Sequence, residues 1–303
     1  MLEKIRVSIG IPAYNEKQNI DRLLKSLLRQ QVKRVIISEI IVISSGSTDK
    51  TNALVRKIAA TNLRVKLICQ KRRLGKASAV NIFLSRAKED ILVLTSADII
   101  LKNRTLEYLI SPLKRRSVGI VGSHPIPLND NKTFLGFAAH LQWDLHHAIS
   151  LSSPKMGECI AFRKIFKQIP ILSAVDETNI ESLIKGQGYK MVYAPNAIVY
   201  NKGPETFEDF ITRRRHIYAG HLATKYEYSY EVSTISGFTL LILLLKNFSF
   251  SFQFILFTPG VIMLEAYSRL LGFFDYKLKL RSHTIWTITH STKKLPQLRE
   301  ATA

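Results

Sequence analysis

From residue 5 to residue 122 this chain alternates short β-branched runs with amphipathic stretches, and that alternation limits the folds open to it more than any other feature. Strands are predicted at residues 5–11, 37–43, 64–68, 91–94 and 119–121. Between them, residues 16–30, 49–60, 76–87 and 103–114 repeat apolar side chains every three or four positions, the period of a one-sided helix. Ser47 or Thr48 is placed to cap the second of these helices, beginning at Asp49. Strand–helix alternation of this kind builds βαβ units with right-handed crossovers, hence an α/β fold with a mostly parallel sheet flanked by helices. Ligands of such sheets bind beyond the C-terminal ends of the strands. Three polar clusters of this sequence fall at those ends.

Further along, residues 134–151 read as a helix whose apolar face is interrupted by Trp143, His146 and His147. Residues 179–186 read as a helix, 190–194 and 197–200 as short strands, and 206–223 as an Arg-rich helix. The composition changes at about Val232: residues 232–264 are almost all apolar or small, with Lys246 the main exception. Its halves, 232–245 and 248–264, are each shorter than the ~20 residues of a spanning helix, and Pro259 and Gly260 interrupt the second.

Three readings of this segment stay open: a short hairpin, a re-entrant wedge, or a buried pair in a soluble protein. A soluble core helix usually keeps a polar stripe, which favours the two membrane readings. Basic flanks agree, with Arg213, Arg214, Arg215 and Lys225 before the segment and Lys277, Lys279, Arg281, Lys293 and Lys294 after it. Such flanks are expected where both ends face the cytoplasm and anionic headgroups. The expected division is a catalytic domain over residues 1–225 and membrane-associated hydrophobic helices with a basic tail over residues 226–303. The first residues lack the apolar core and cleavage site of a secretory signal, so the catalytic part is expected on the cytoplasmic side.

The chain carries 44 Lys and Arg against 23 Asp and Glu, a formal net charge of +21, so polyanions are its natural partners. Nucleic acid is not the expected one, because no basic stretch is interleaved with aromatics and no binding module is recognisable. Cys69 and Cys159 lie far apart without metal-ligand spacing and fit a reducing compartment.

Four polar clusters carry the chemistry. Pro12-Ala13-Tyr14-Asn15-Glu16 follows the first strand and offers an aromatic ring and a carboxylate to a nucleobase. Residues 44–51, Ser-Ser-Gly-Ser-Thr-Asp-Lys-Thr, follow the second. Residues 73–81 contain Gly75, which permits close backbone approach, and Lys76, which can reach a phosphate. Thr95-Ser96-Ala97-Asp98 ends the fourth strand with a carboxylate able to bind a hard divalent cation. Taken singly, each is also an ordinary turn.

Taken in order, these segments resemble the inverting family 2 glycosyltransferases with the GT-A nucleotide-diphospho-sugar transferase fold. That family's pattern runs P-x-Y-N-E, D-D-G-S-T-D-x-T, G-K-x-x-A-x-N and D-x-D; here the segments read PAYNE, SSGSTDKT, GKASAVN and SAD. The likeness continues through Gly157-Glu158-Cys159-Ile160-Ala161-Phe162-Arg163, the acidic pair Asp176-Glu177 and Arg213-Arg214-Arg215-His216, spanning about residues 5–221. The resemblance implies that Pro12, Tyr14 and Glu16 border the base and ribose, with Ser44 near the base and Lys76 near the base or diphosphate. Asp98 would hold Mg²⁺ or Mn²⁺ on the diphosphate. Glu177, or its neighbour Asp176, would be the general base; the family's base is the second acid of the pair, which favours Glu177. Gly157 and Glu158 would lie on the acceptor side, and Arg213, Arg214, Arg215 and His216 would cradle the diphosphate or the acceptor.

The departures have consequences. Ser44-Ser45 replaces an acidic pair, which leaves donor preference open, and Ser96-Ala97-Asp98 leaves one carboxylate for the metal. The Arg-rich segment is not the Gln-x-x-Arg-Trp of processive synthases, so a non-processive enzyme is expected. It would act on a nucleotide-sugar donor and a lipid-linked or membrane-proximal acceptor, beside membrane lipids. The alternative that the lost acids raise is a catalytically impaired scaffold or sugar-nucleotide sensor. His146 and His147 lack a third ligand at sensible spacing, so helix packing or an acceptor-lining role is expected of them.

Overall fold

The computed structural model describes residues 4–171, 175–230, 237–246, 250–280 and 286–296. Residues 232–236 and 247–249 of the apolar segment, and Arg281, lie outside the described residues.

The predicted alternation is present. β1 (Ile5–Ala13), β2 (Val35–Ser45), β3 (Val65–Gln70) and β4 (Ile91–Thr95) are joined by α1 (Ile20–Leu28), α2 (Thr51–Thr61) and α3 (Lys76–Arg86). After them come β5 (Ile100–Leu101), α4 (Thr105–Ile110), β6 (Val118–Pro127), α5 (Phe134–Ser152), β7 (Cys159–Arg163), α6 (Asp176–Gly186) and β8 (Lys190–Asn201). The eight strands form one sheet in the order β3-β2-β1-β4-β7-β6-β8-β5. β1 runs parallel to β2 and β4, and β2 to β3, so the polar clusters after β1, β2 and β4 share one edge. Beyond β4 the sheet is mixed: β7 lies antiparallel to both β4 and β6, β8 is parallel to β6, and β5 is antiparallel to β8. The two short strands predicted at 190–194 and 197–200 are one strand, because Pro195 falls where the β6–β8 register shifts and no ladder donor is needed.

The central strands β1, β2 and β4 bury both faces. Val7, Ile9 and Ile11 pack with Leu23 and Leu24 of α1 and Leu106 of α4; Ile41 and Ile43 pack with Val80 and Phe83 of α3 and Ile180 of α6. Gly10, on the second face of β1, leaves the Phe83 ring no clearance: a Cβ there would stand 2.4 Å from it.

The C-terminal part is helical: α7 (Phe207–Tyr228), α8 (Gly237–Lys246) and α9 (Phe252–Leu278). α9 corrects the predicted break. It runs through Pro259 and past Leu264 for 27 residues. A proline inside a helix removes a backbone bond, yet Phe254 and Val261 on either side of it are buried against Phe137 of α5 and Phe210 of α7, and this packing outweighs the propensity. Gly260 lets α9 approach the Phe134 ring of α5, and Gly272 lets it approach the backbone at Arg215 of α7. α9 is the one helix among the described residues long and apolar enough to cross a membrane.

Gly10→Ala is expected to lower stability by about 1–3 kcal/mol through overpacking. Chemical denaturation should show part of this recovered in the Gly10→Ala/Phe83→Leu double variant.

Candidate active site

The end of β1 turns sharply at Asn15, whose φ is 53°, a left-handed conformation that asparagine tolerates. The Asn15 amide donates to Ser47 Oγ at 3.1 Å, and its side-chain oxygen accepts from the Thr48 amide at 2.9 Å. The Glu16 amide donates to Thr51 Oγ1 at 2.8 Å. These bonds correct the predicted cap: α2 starts at Thr51, and Ser47 and Thr48 instead lock the first polar segment to the second. The Arg73 guanidinium lies 4.0 Å above the Tyr14 ring, which ties in the third segment.

A cavity of about 620 Å³ opens at this edge. Of the residues singled out in the sequence, Pro12, Tyr14, Glu16, Lys76, Asp98, Gly157, Glu158, Glu177, Arg213 and Arg214 line it. Ser44 lies beneath, fully buried, with Oγ donating to Ser47 Oγ at 2.8 Å, and Ser45 lines the cavity in its place. Arg215 turns away to fork with Asp275 of α9, and the His216 ring sits 4.3 Å from that of Trp286. Neither lines the cavity.

The electrostatics centre on two acid pairs. Glu16 is 5% exposed; burial first, then Asp98, push its carboxyl up to about 7, against the pull of Lys293 and Asn19. Lys76, at the start of α3, reaches across to the first turn of α6, 2.6 Å from Glu177 and 3.2 Å from Asp176. Burial opposes the Lys76 charge, but Glu177 and Asp176 outweigh it and hold the amine above its ordinary value. Asp176 is 1% exposed and pushed up to about 6 by burial, with Lys76 opposing and Glu177 adding to the rise. Glu177 faces the cavity and Asp176 does not.

Arg213 pairs with Glu158 at 3.0 Å, and Glu158 also accepts from Asn201 at 3.2 Å. Arg214 forks with Glu265 of α9 at 2.5 and 2.7 Å, and Arg269 donates to the same carboxylate at 2.7 Å. Glu265, Arg269, Lys155, His221 and Lys293 line the cavity without having been singled out as site residues. Glu265 and Arg269 are an i,i+4 pair of charges in an apolar run, which was a signal available one residue past the segment's predicted end. Lys155 stands two residues before Gly157; burial foremost pushes its amine down to about 8. His146 is buried and pushed down to about 3, chiefly by burial, while His147 bonds the Tyr193 hydroxyl at 2.8 Å. Among the described residues no three His, Cys, Asp or Glu side chains group to hold a metal.

Lys76→Met leaves Asp176 and Glu177 uncompensated and should cost about 3 kcal/mol. The folded chain binds the Asp176 proton more tightly than the unfolded chain, so this site's contribution weakens as pH rises from about 4 towards 6. Removing the lysine extends that window upward, so unfolding midpoints should differ more from wild type at pH 8 than at pH 5.

Residues 8–151 match the family described as Glycosyl transferase family 2. An uncharacterized glycosyltransferase of Haemophilus influenzae is 32% identical over 119 residues, 39% of this chain and 36% of that protein. The poly-beta-1,6-N-acetyl-D-glucosamine synthase of Staphylococcus aureus is 25% identical over 213 residues, 66% of this chain and 50% of the synthase. The chain thus spans half or less of the length of these relatives. A mannosyltransferase from Pyrobaculum calidifontis, solved in complex with GDP-Man and Mn²⁺, superimposes with a TM-score of 0.66 at 20% identity, covering 92% of this chain and 88% of that one. Residues 8–151 thus resemble glycosyl transferase family 2, and the chain shares the GT-A fold of the mannosyltransferase.

Proposed function

We propose that this chain transfers a sugar, with inversion, from a nucleotide-sugar donor to a lipid-linked or membrane-proximal acceptor. One observation carries the reading: motif residues from Tyr14 to Arg213 converge on one cavity whose wall is completed by α9. The family resemblance and the glycosyltransferase relatives support the reaction class.

Pro12, Tyr14 and Arg73 would hold the base and ribose. Asp98 would hold a divalent cation on the diphosphate, and the site suits one: Asp98 and Glu16 bring two acidic side chains to the same cavity wall. With so few protein acids, phosphate oxygens and water would complete its shell. When bound, the cation supplies charge neutralisation to the departing diphosphate. Glu177 would take the acceptor hydroxyl proton as that oxygen attacks the anomeric carbon opposite the leaving group. Its cavity-facing position supports Glu177 over Asp176, and Lys76, 2.6 Å away, would orient it. Arg213 and Glu158, bonded to one another, would border the acceptor.

Residues 226–303 would be the membrane-associated part. α9 presents Ile255, Leu256, Met263 and Leu270 outward, all exposed, while Glu265 and Asp275 turn inward to Arg214 and Arg215. A helix with one apolar face and one charged, protein-bound face suits the plane of a bilayer interface. The domain would then work at the cytoplasmic surface, where acceptor head groups are presented.

Release of nucleoside diphosphate from a panel of sugar nucleotides, with Mg²⁺ or Mn²⁺ and a lipid extract, tests the reaction. Asp98→Ala and Glu177→Gln should each lower turnover by at least about 100-fold. Donor binding without turnover, insensitive to the Glu177 change, would favour the impaired scaffold or sensor. Met263→Glu with Leu270→Glu should abolish sedimentation with anionic vesicles yet leave nucleotide binding intact; unchanged sedimentation would refute the interfacial reading of α9.

A further inference from the structure

Beyond α9 the chain returns to the sheet edge as a strap, residues 286–296, laid over the end of β1. Its backbone is fixed at many points. Arg73 donates to the Trp286 carbonyl at 2.5 Å. The Ser291 amide donates to Asp209 of α7 at 2.9 Å. Asn19 donates to the Lys293 carbonyl at 2.7 Å and accepts from the Leu295 amide at 3.3 Å. Arg22 grips the Leu295 and Pro296 carbonyls at 2.7 Å each. Leu295 is buried against Ile100 and Tyr200. None of these anchors uses the Lys293 side chain, yet both sides of Lys293 are held.

That side chain is delivered into the cavity. Its ammonium pairs with the Glu16 carboxylate and lies 3.4 Å from the Tyr14 carbonyl, and it shares the cavity lining with Asp98. We propose that Lys293 is a donor-site residue, whose ammonium binds the diphosphate of the nucleotide sugar and stabilises it as it departs. The inference rests on the donor reading above. Glu16 and Asp98 already place two acidic side chains here, and a diphosphate diester adds two negative charges. A lysine built into the same wall supplies positive charge beside the divalent cation. When the bond between the anomeric carbon and the diphosphate oxygen breaks, its electron pair stays on that oxygen, which gains a full negative charge. A fixed cation beside it interacts more strongly with the product than with the donor, which is the condition for accelerating the step. In the sequence Lys293 reads as a basic flank of the apolar segment; the fold moves it to the nucleotide.

The test is equilibrium binding to the detergent-solubilised full chain with Mn²⁺, using UDP, GDP, ADP, CDP and dTDP, the matching nucleosides, and the intact donor. Lys293→Gln should weaken the preferred diphosphate by about 10- to 100-fold, the range for a hydrogen bond to a charged group. It should weaken the intact donor less and leave the nucleoside unchanged, while Lys293→Arg retains most of the affinity. The same loss should persist in a Glu16→Gln background, where the lysine has no carboxylate to hold. Unchanged diphosphate affinity in Lys293→Gln, or an equal loss for nucleoside and diphosphate, would overturn the proposal and leave the strap a structural latch. Failure of the wild-type chain to bind any of the five diphosphates would overturn the donor reading itself.

Discussion

The parallel pairing of β1 with β2 and β4 is the constraint on which the other features rest. Parallel strands end together, so the segments after Ala13, Ser45 and Thr95 leave the sheet on one side and must turn within a few residues of one another. Their backbone groups lose sheet partners there and find them in side chains from the neighbouring turn, as Asn15 does with Ser47 and Thr48. The polar residues at the strand ends divide these roles: Asn15, Ser47 and Thr48 satisfy the backbone, while Tyr14, Glu16 and Asp98 line the cavity.

Charge at this edge is arranged in paired opposites. Lys76 bridges α3 to the acids of α6, Arg213 meets Glu158 ahead of β7, and Arg214 meets Glu265 of α9. Partly buried ions need such partners, because desolvation would otherwise neutralise them. The pairs also join parts of the chain remote in sequence, so the cavity's shape depends on α9 and on the strap as much as on the sheet. A donor that exchanges some of these partners for phosphate oxygens would act on the same network.

Much of this was legible beforehand because it is local. Val7, Ile9 and Ile11 announce a strand by period, Leu23, Leu24 and Leu27 a helix, and PAYNE and GKASAVN occupy the turns that the alternation assigns them. The antiparallel entry of β7 between β4 and β6 was not legible, since strand direction leaves no mark on a run as short as Cys159–Arg163. The continuity of α9 is hidden from a local reading because Pro259 lowers helix propensity, while Phe254 and Val261 acquire their value only against α5 and α7. Lys293 was read by its neighbours in sequence, and its place is set by Asn19 and Arg22, more than 270 positions away.

The sequence by itself determined the α/β alternation, the strand-end clusters and the excess of positive charge, all consequences of residue spacing and composition. Tertiary structure alone decided which charges meet. It turned Lys76 to Glu177, sank Ser44 beneath Ser45, sent Arg215 to Asp275 and brought Lys293 to Glu16. The reason is physical: period and propensity act over a few residues, whereas a long side chain's partner is whatever the packed helices and sheet place within its reach, and burial then decides whether its charge can stand alone.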